Sequence, residues 1–136
     1  MERLITKPRN EPDAKVDRFA HKVIGAAIEV HKHLGAGYIE GVYEDALVVE
    51  FTMKGIPFEQ QKIVGVNYKG HQVGQSRLDL IVAECLVVEV KAVTELVAIH
   101  KAQVISYLKA TGLTLGLLIN FNVPVLKDGI RRVILS

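Results

Sequence analysis

Asp79 and Glu89 each interrupt an otherwise apolar run, Arg77-Leu-Asp-Leu-Ile-Val82 and Leu86-Val-Val-Glu-Val-Lys91. Between the runs lies Ala83-Glu84-Cys85, and a three-residue turn there makes Val82 face Leu86. Counting back from that pair sets Asp79 directly opposite Glu89, with Cβ atoms ~5 Å apart on one face. The period of 2 in a strand puts Lys91 on the face of Glu89, away from Val88 and Val90. Two carboxylates that close repel, and a hard divalent cation between them turns repulsion into binding, because such ions take carboxylate oxygens at ~2.0–2.6 Å. Lys91 would then hold a water or offset charge developing on a phosphate. A two-residue turn at Glu84-Cys85 would instead throw the acids onto opposite faces.

An acid-x-lysine triplet is cheap. Asp13-Ala-Lys15 is another, and alone such a triplet more often marks a solvated strand face. Asp79 at the cross-strand position is what sets Glu89-Val-Lys91 apart. A second group lies further upstream, where Glu40 and Glu44 are four residues apart and share a helix face with Tyr43 beside them. An acid in a first helical turn also simply complements the helix dipole, which accounts for Glu40 better than for Glu44. His100, Gln103 and Tyr107 follow i, i+3, i+7 spacing and make a polar stripe, as helix surfaces often do. His31 and His33 point to different faces and form a poor ligand pair. Cys85 has no base nearby in the sequence and reads as structural.

The elements that must position these residues follow from periodicity. Residues 1–15 are polar, carry Pro8 and Pro12, and read as a loose arm before a single domain over 16–136. From Asp17 the stripe Ala20, Val23, Ile24, Ala27, Ile28, Leu34 predicts a helix that Gly35 and Gly37 end. A second helix runs from Ile39 to Lys54 and stops at Gly55. Residues 59–68, a hairpin tip at Lys69-Gly70, His71–Ser76, and the two apolar runs predict three to four strands. Glu95 to Thr111 predicts a third helix, Leu113–Phe121 a buried strand, and Gly129–Leu135 a last strand.

Composition bounds the classes. The 136 residues are 49% hydrophobic and 24% charged with a net charge of +2, which excludes a disordered or collagen-like chain and suits one domain. The longest uncharged stretch, Ala110 to Leu126, is 17 residues broken by two glycines, two asparagines and a proline, short of the ~20 apolar residues of a membrane span. With no apolar leader and one cysteine, the expectation is a soluble protein of a reducing cytoplasm. Residues 99–136 carry five cations against Asp128 alone; such an end tolerates a phosphate backbone or is simply solvated surface.

Taken together, these residues resemble the PD-(D/E)xK nuclease superfamily, with an acid, an acid and an acid-x-lysine. More narrowly, Gly37-Tyr-Ile-Glu40-Gly-Val-Tyr43 followed by Glu44-Asp-Ala-Leu47 resembles the small bacterial GxxExxY family. The likeness extends from Phe19 to Val133, through Val30-His31, Leu34-Gly35, Gly55-Ile56 with Gln61, Ala102-Gln103, Tyr107-Leu-Lys-Ala110 and Gly116–Phe121. It departs at Leu78, where proline would precede the aspartate. The resemblance implies an α/β, restriction endonuclease-like core, α-β-β-β-α-β, with a mixed central sheet flanked by helices and an extra N-terminal helix. It implies a site for Mg²⁺ or Mn²⁺ held by Asp79, Glu89, the Val90 carbonyl and a helix acid, Glu44 or Glu40. Lys91 would orient the attacking water and offset phosphate charge, while Gln103 and Tyr107 match a Gln-x-x-x-Tyr motif that lines the site. The implied partner is nucleic acid, DNA rather than RNA, with no membrane and room for a homodimer. The alternative is a nuclease-fold module that binds nucleic acid or a partner protein without cutting. In the register expected here, Lys91 faces Glu89 and, across the hairpin, Arg77.

Overall fold

A computed structural model describes residues 13–135. Two helices come first, α1 (Ala14–Leu34) and α2 (Glu40–Lys54). Three strands follow, β1 (Phe58–Tyr68), β2 (His71–Val82) and β3 (Leu86–Lys91), then α3 (Ala98–Thr111). The chain closes with β4 (Leu115–Asn120), a 3₁₀ turn (Leu126–Gly129) and β5 (Ile130–Ile134). The sheet order is β1-β2-β3-β4-β5, antiparallel except for the β3–β4 pair. Parallel strands need a crossover, and α3 supplies it. The result is an α/β fold with a five-stranded mixed sheet flanked by helices, of the restriction endonuclease type.

Local chemistry sets the boundaries. The side chain of Asp13 accepts the Val16 N–H at 2.9 Å and starts α1 at Ala14. Most of the arm expected over residues 1–15 lies outside the described residues; its last ones do not extend it, since Asp13 is a cap and Ala14 and Lys15 are helical. Gly55 is left-handed (φ 68°) and closes α2 where expected. The Lys69-Gly70 tip has both residues at positive φ, the two-residue turn that matches strand twist. His71–Ser76 and Leu78–Val82 form one strand, so there are three strands before α3. That helix begins at Ala98 rather than Glu95. Asn120 explains the delay: it accepts the Val93 N–H at 3.0 Å and donates to the Val93 carbonyl at 2.9 Å, tying down the segment after β3.

The sheet separates two cores. Ala20, Val23 and Ala27 of α1 and Tyr43, Leu47 and Phe51 of α2 pack against Leu80, Val82, Val88, Val90, Leu117 and Ile119. On the other side Val104, Tyr107 and Leu108 of α3 cover Leu78, Ile81, Val87, Leu118 and Val133. Leu78 and Leu80 are two apart in one strand and should share a face, yet they lie in opposite cores. The strand turns over between them, at Asp79. Across β1 the register runs Gln60 to Leu80 and Lys62 to Leu78, which leaves Gln61 opposite Asp79. Gln61 has φ 55°, a left-handed backbone inside a strand.

α3 packs closely over Gly116, where an added Cβ would stand 2.5 Å from Val104 Cγ1. Gly116→Ala is therefore expected to destabilise the protein by about 1–3 kcal/mol, through overpacking. Chemical denaturation checks it, and the pair with Val104→Ala should recover part of the loss.

Candidate active site

The hairpin register is the one that brings the acids together. Val82 faces Leu86, Ile81 faces Val87 and Leu80 faces Val88 across a three-residue turn. Beyond Leu80 the regular ladder ends, and carboxylates take over from carbonyls. The Asp79 N–H donates to Glu89 Oε1 at 3.3 Å, and the Val90 N–H donates to Asp79 Oδ2 at 2.9 Å. At Val90, then, it is the N–H that meets the site acid. Asp79 and Glu89 are buried, at 8% and 3% exposure.

Lys91 lies beside them with its side chain 13% exposed, its Nζ 2.8 Å from Gln103 Oε1 and 3.7 Å from Glu89 Oε2. Arg77, expected as a neighbour of Lys91, is exposed and pairs with Ile63 of β1 instead, because β2 and β3 have already parted. Gln103 and Tyr107 both come from α3, and the Tyr107 hydroxyl donates to the Arg77 carbonyl at 3.2 Å. His100, the third member of that stripe, accepts the Val97 N–H at 3.0 Å and serves the start of α3.

α2 supplies Glu44 from the other side of the sheet. Its depth is set by Tyr43, which is fully buried and stacked on Phe121 with ring centroids 4.6 Å apart. The Tyr43 hydroxyl donates to the Gly35 carbonyl at 2.6 Å and accepts the Tyr38 N–H at 3.1 Å, fastening the α1–α2 loop to the helix. Glu44, 7% exposed, accepts on Oε2 from the side-chain amides of Gln60 at 2.8 Å and Gln61 at 2.7 Å. Gln61 also reaches Asp79 Oδ1 at 3.4 Å. Glu40, one turn earlier and half-buried, acts on Asp79 and Glu89 through its charge. Sequence reasoning assigned no role to Gln60 or Gln61, because strand alternation points neighbours to opposite faces; the available signal was Gln61's place in the family resemblance, in the strand that pairs with the one bearing Asp79.

Four acids thus share the site with Lys91. Burial pushes the Asp79 carboxyl up to about 6; the charges of Glu44 and Glu40 add to this, and the Val90 N–H and Lys91 oppose it. Burial and then the Asp79 charge push Glu89 up to about 8, against the Asp79 N–H and Lys91. Burial, with Glu89 and Asp79, raises Tyr107 to about 12, so its hydroxyl is a donor and not a base. Elsewhere the histidines are occupied as expected for non-ligands: His31 bonds the Val123 carbonyl at 2.8 Å and His33 the Glu29 carbonyl at 3.0 Å. At the basic C-terminal end, Arg132 is exposed and pairs with Asp17 at 3.0 Å.

The model of the PD-(D/E)XK nuclease superfamily matches residues 17–133. The chain belongs to that superfamily. No curated protein and no solved structure gave a match. PD-(D/E)XK nucleases generally use divalent metals, and the superfamily implies nucleic-acid binding. Among the described residues, no three acids, histidines or cysteines converge tightly enough to enclose an ion unaided. The donor chemistry nevertheless fits one: hard carboxylate oxygens from three elements, with more negative charge than Lys91 offsets. No helix among the described residues is long and apolar enough to cross a membrane.

Both raised carboxyls hold protons more tightly folded than unfolded, so their contribution to stability is full at low pH and lost as pH rises. The window runs from the ordinary value of 3.8 through about 6 for Asp79, and from 4.5 through about 8 for Glu89. Metal-free protein should therefore weaken between about pH 4 and pH 8. Glu89→Gln should flatten the upper part of that decline and gain on the order of 1–3 kcal/mol at about pH 8. Urea melts across the range check the sign; stability rising with pH would contradict it.

Proposed function

We propose that this PD-(D/E)XK protein hydrolyses phosphodiester bonds of nucleic acid, DNA rather than RNA, with Mg²⁺ or Mn²⁺. The segment Gly37–Tyr43 supports placing it in the GxxExxY branch. One observation carries the reading: two buried acids, Asp79 and Glu89, are joined at a strand fork through the Asp79 N–H and the Glu89 carboxylate, and a single lysine lies beside them. A fold selected only for stability would not keep that charge imbalance. A divalent cation answers it, and Asp79, Glu89 and Glu44 would hold it, with the Val90 carbonyl as a further oxygen donor. When bound, the ion supplies Lewis-acid polarisation of the phosphoryl oxygen and an acidified water.

The chain's own groups do the rest. Gln103 holds the Lys91 ammonium at 2.8 Å, ready to meet charge that grows on the phosphate in the transition state. Tyr107 stays protonated and donates, which suits a phosphate or sugar oxygen. Glu40 adds negative charge at the rim and is the weaker candidate for the helix ligand, because Glu44 alone is hydrogen-bonded into the site.

Labelled DNA and RNA of single-stranded, duplex and branched form, incubated with Mg²⁺, Mn²⁺ or EDTA, test the activity. Lys91→Ala should slow cleavage by ~10²–10³-fold with a much smaller effect on affinity. Binding without cutting, together with a roughly tenfold affinity loss and a shallower salt dependence in Lys91→Ala, would support the binding-module reading instead. Metal uptake has its own readout. Mn²⁺ at about 100 times its dissociation constant should stabilise the wild type by ~2.7 kcal/mol, and Asp79→Asn should lose most of that gain; equal thermal shifts would place the ion elsewhere.

A further inference from the structure

We infer that the Gln61 side-chain amide is a placeholder for the cation, spanning Glu44 and Asp79 in the metal-free protein and leaving when a divalent ion arrives. The inference rests on the metal reading of the site. Gln61 Nε2 stands 2.7 Å from Glu44 Oε2 and 3.4 Å from Asp79 Oδ1, so one nitrogen sits between an acid of α2 and an acid of β2. Ionised carboxylates only accept, which makes the NH₂ end of the amide the end that faces them. An amide thus supplies partial positive charge at the point where an ion shared by those two acids would have to lie.

The backbone is bent to achieve this. Neighbouring strand residues point to opposite faces, yet Gln60 and Gln61 converge on the same Glu44 oxygen. The left-handed φ of 55° at Gln61 is what folds the second side chain back into the fork. A non-glycine residue in that region is strained and persists where the surroundings hold it there. The long contact to Asp79 is the weaker of the two and the easier to break. Gln60 shares its amide with Asp45 at 3.2 Å, outside the fork, and has no contact with Asp79 among the described hydrogen bonds. It keeps Glu44 oriented when Gln61 leaves.

The test compares Mn²⁺ binding by calorimetry in the wild type, Gln61→Gly and Gln61→Asn. Glycine and asparagine both tolerate the left-handed backbone; glycine has no amide, and asparagine's is one methylene too short to span both acids. With no amide spanning the two acids, each variant should bind Mn²⁺ about tenfold more tightly, a step sized on hydrogen bonds to charged groups. In the wild type, the Gln61 side-chain amide resonance, assigned through its own connection to the Gln61 backbone, should move when Mg²⁺ is added. That measurement stands even if a variant folds poorly. Unchanged or weaker Mn²⁺ binding in both variants, or an amide signal that Mg²⁺ leaves in place, would overturn the placeholder role while leaving the metal site intact. A wild type that takes up no Mn²⁺ would overturn the metal reading and this inference with it.

Discussion

Where β2 and β3 part, two main-chain N–H groups that a regular ladder would give to carbonyls are given to carboxylates instead. Asp79 N–H goes to Glu89 and Val90 N–H goes to Asp79. This exchange satisfies the backbone, so the strands can separate without orphaned donors. It also buries both charges, because an acid that replaces a ladder carbonyl lies at the depth of the ladder. The separation opens a fork, and the fork lets Glu44, on the α2 side of the sheet, approach acids that face α3. Lys91, Gln103 and Tyr107 close the far side.

The surrounding fold carries the electrostatic cost. β3 and β4 pair in parallel from Val87 to Lys91, and all six residues of β4 are buried, so the strand bearing Glu89 and Lys91 is held along its other edge. The two cores on either side of the sheet supply apolar burial that a fork in one ladder does not disturb. Rigidity here is what the proposed metal site would need, since pairing a carboxylate with a cation in low dielectric depends on geometry held before the ligand arrives.

Much of this was legible from the residues. A three-residue turn at Ala83–Cys85 leaves one register, and that register puts Asp79 against Glu89. Gly55 and the Lys69-Gly70 tip marked their turns because left-handed backbone has few residue choices. What escaped was wherever tertiary contact overrode period. The late start of α3 depends on Asn120, far along the chain. Arg77 was expected near Lys91 by extending a ladder that in fact stops at Leu80, and Asp13 looked like part of an arm until its carboxylate capped α1. Gln60 and Gln61 were invisible as site residues for the same reason: alternation sends neighbours apart, and a positive φ at a glutamine is not written in its identity.

The tyrosine that ends the segment Gly37–Tyr43 orders the candidate site from inside the core. It is wholly internal, stacked on Phe121 and bonded to the Gly35 carbonyl and the Tyr38 N–H. Phe121 follows β4 directly, and its N–H is bonded to the Lys91 carbonyl at 2.9 Å. A chain of contacts therefore runs from the strand end that carries Lys91, through Phe121, to Tyr43 and the next residue, Glu44. The angle of α2 about its own axis is referenced to the same strand that presents Glu89. Glu44 of α2 can approach Asp79 of β2 and Glu89 of β3 at one fork because a stacked ring pair sets the helix against the strand end. None of the three elements could hold that arrangement alone.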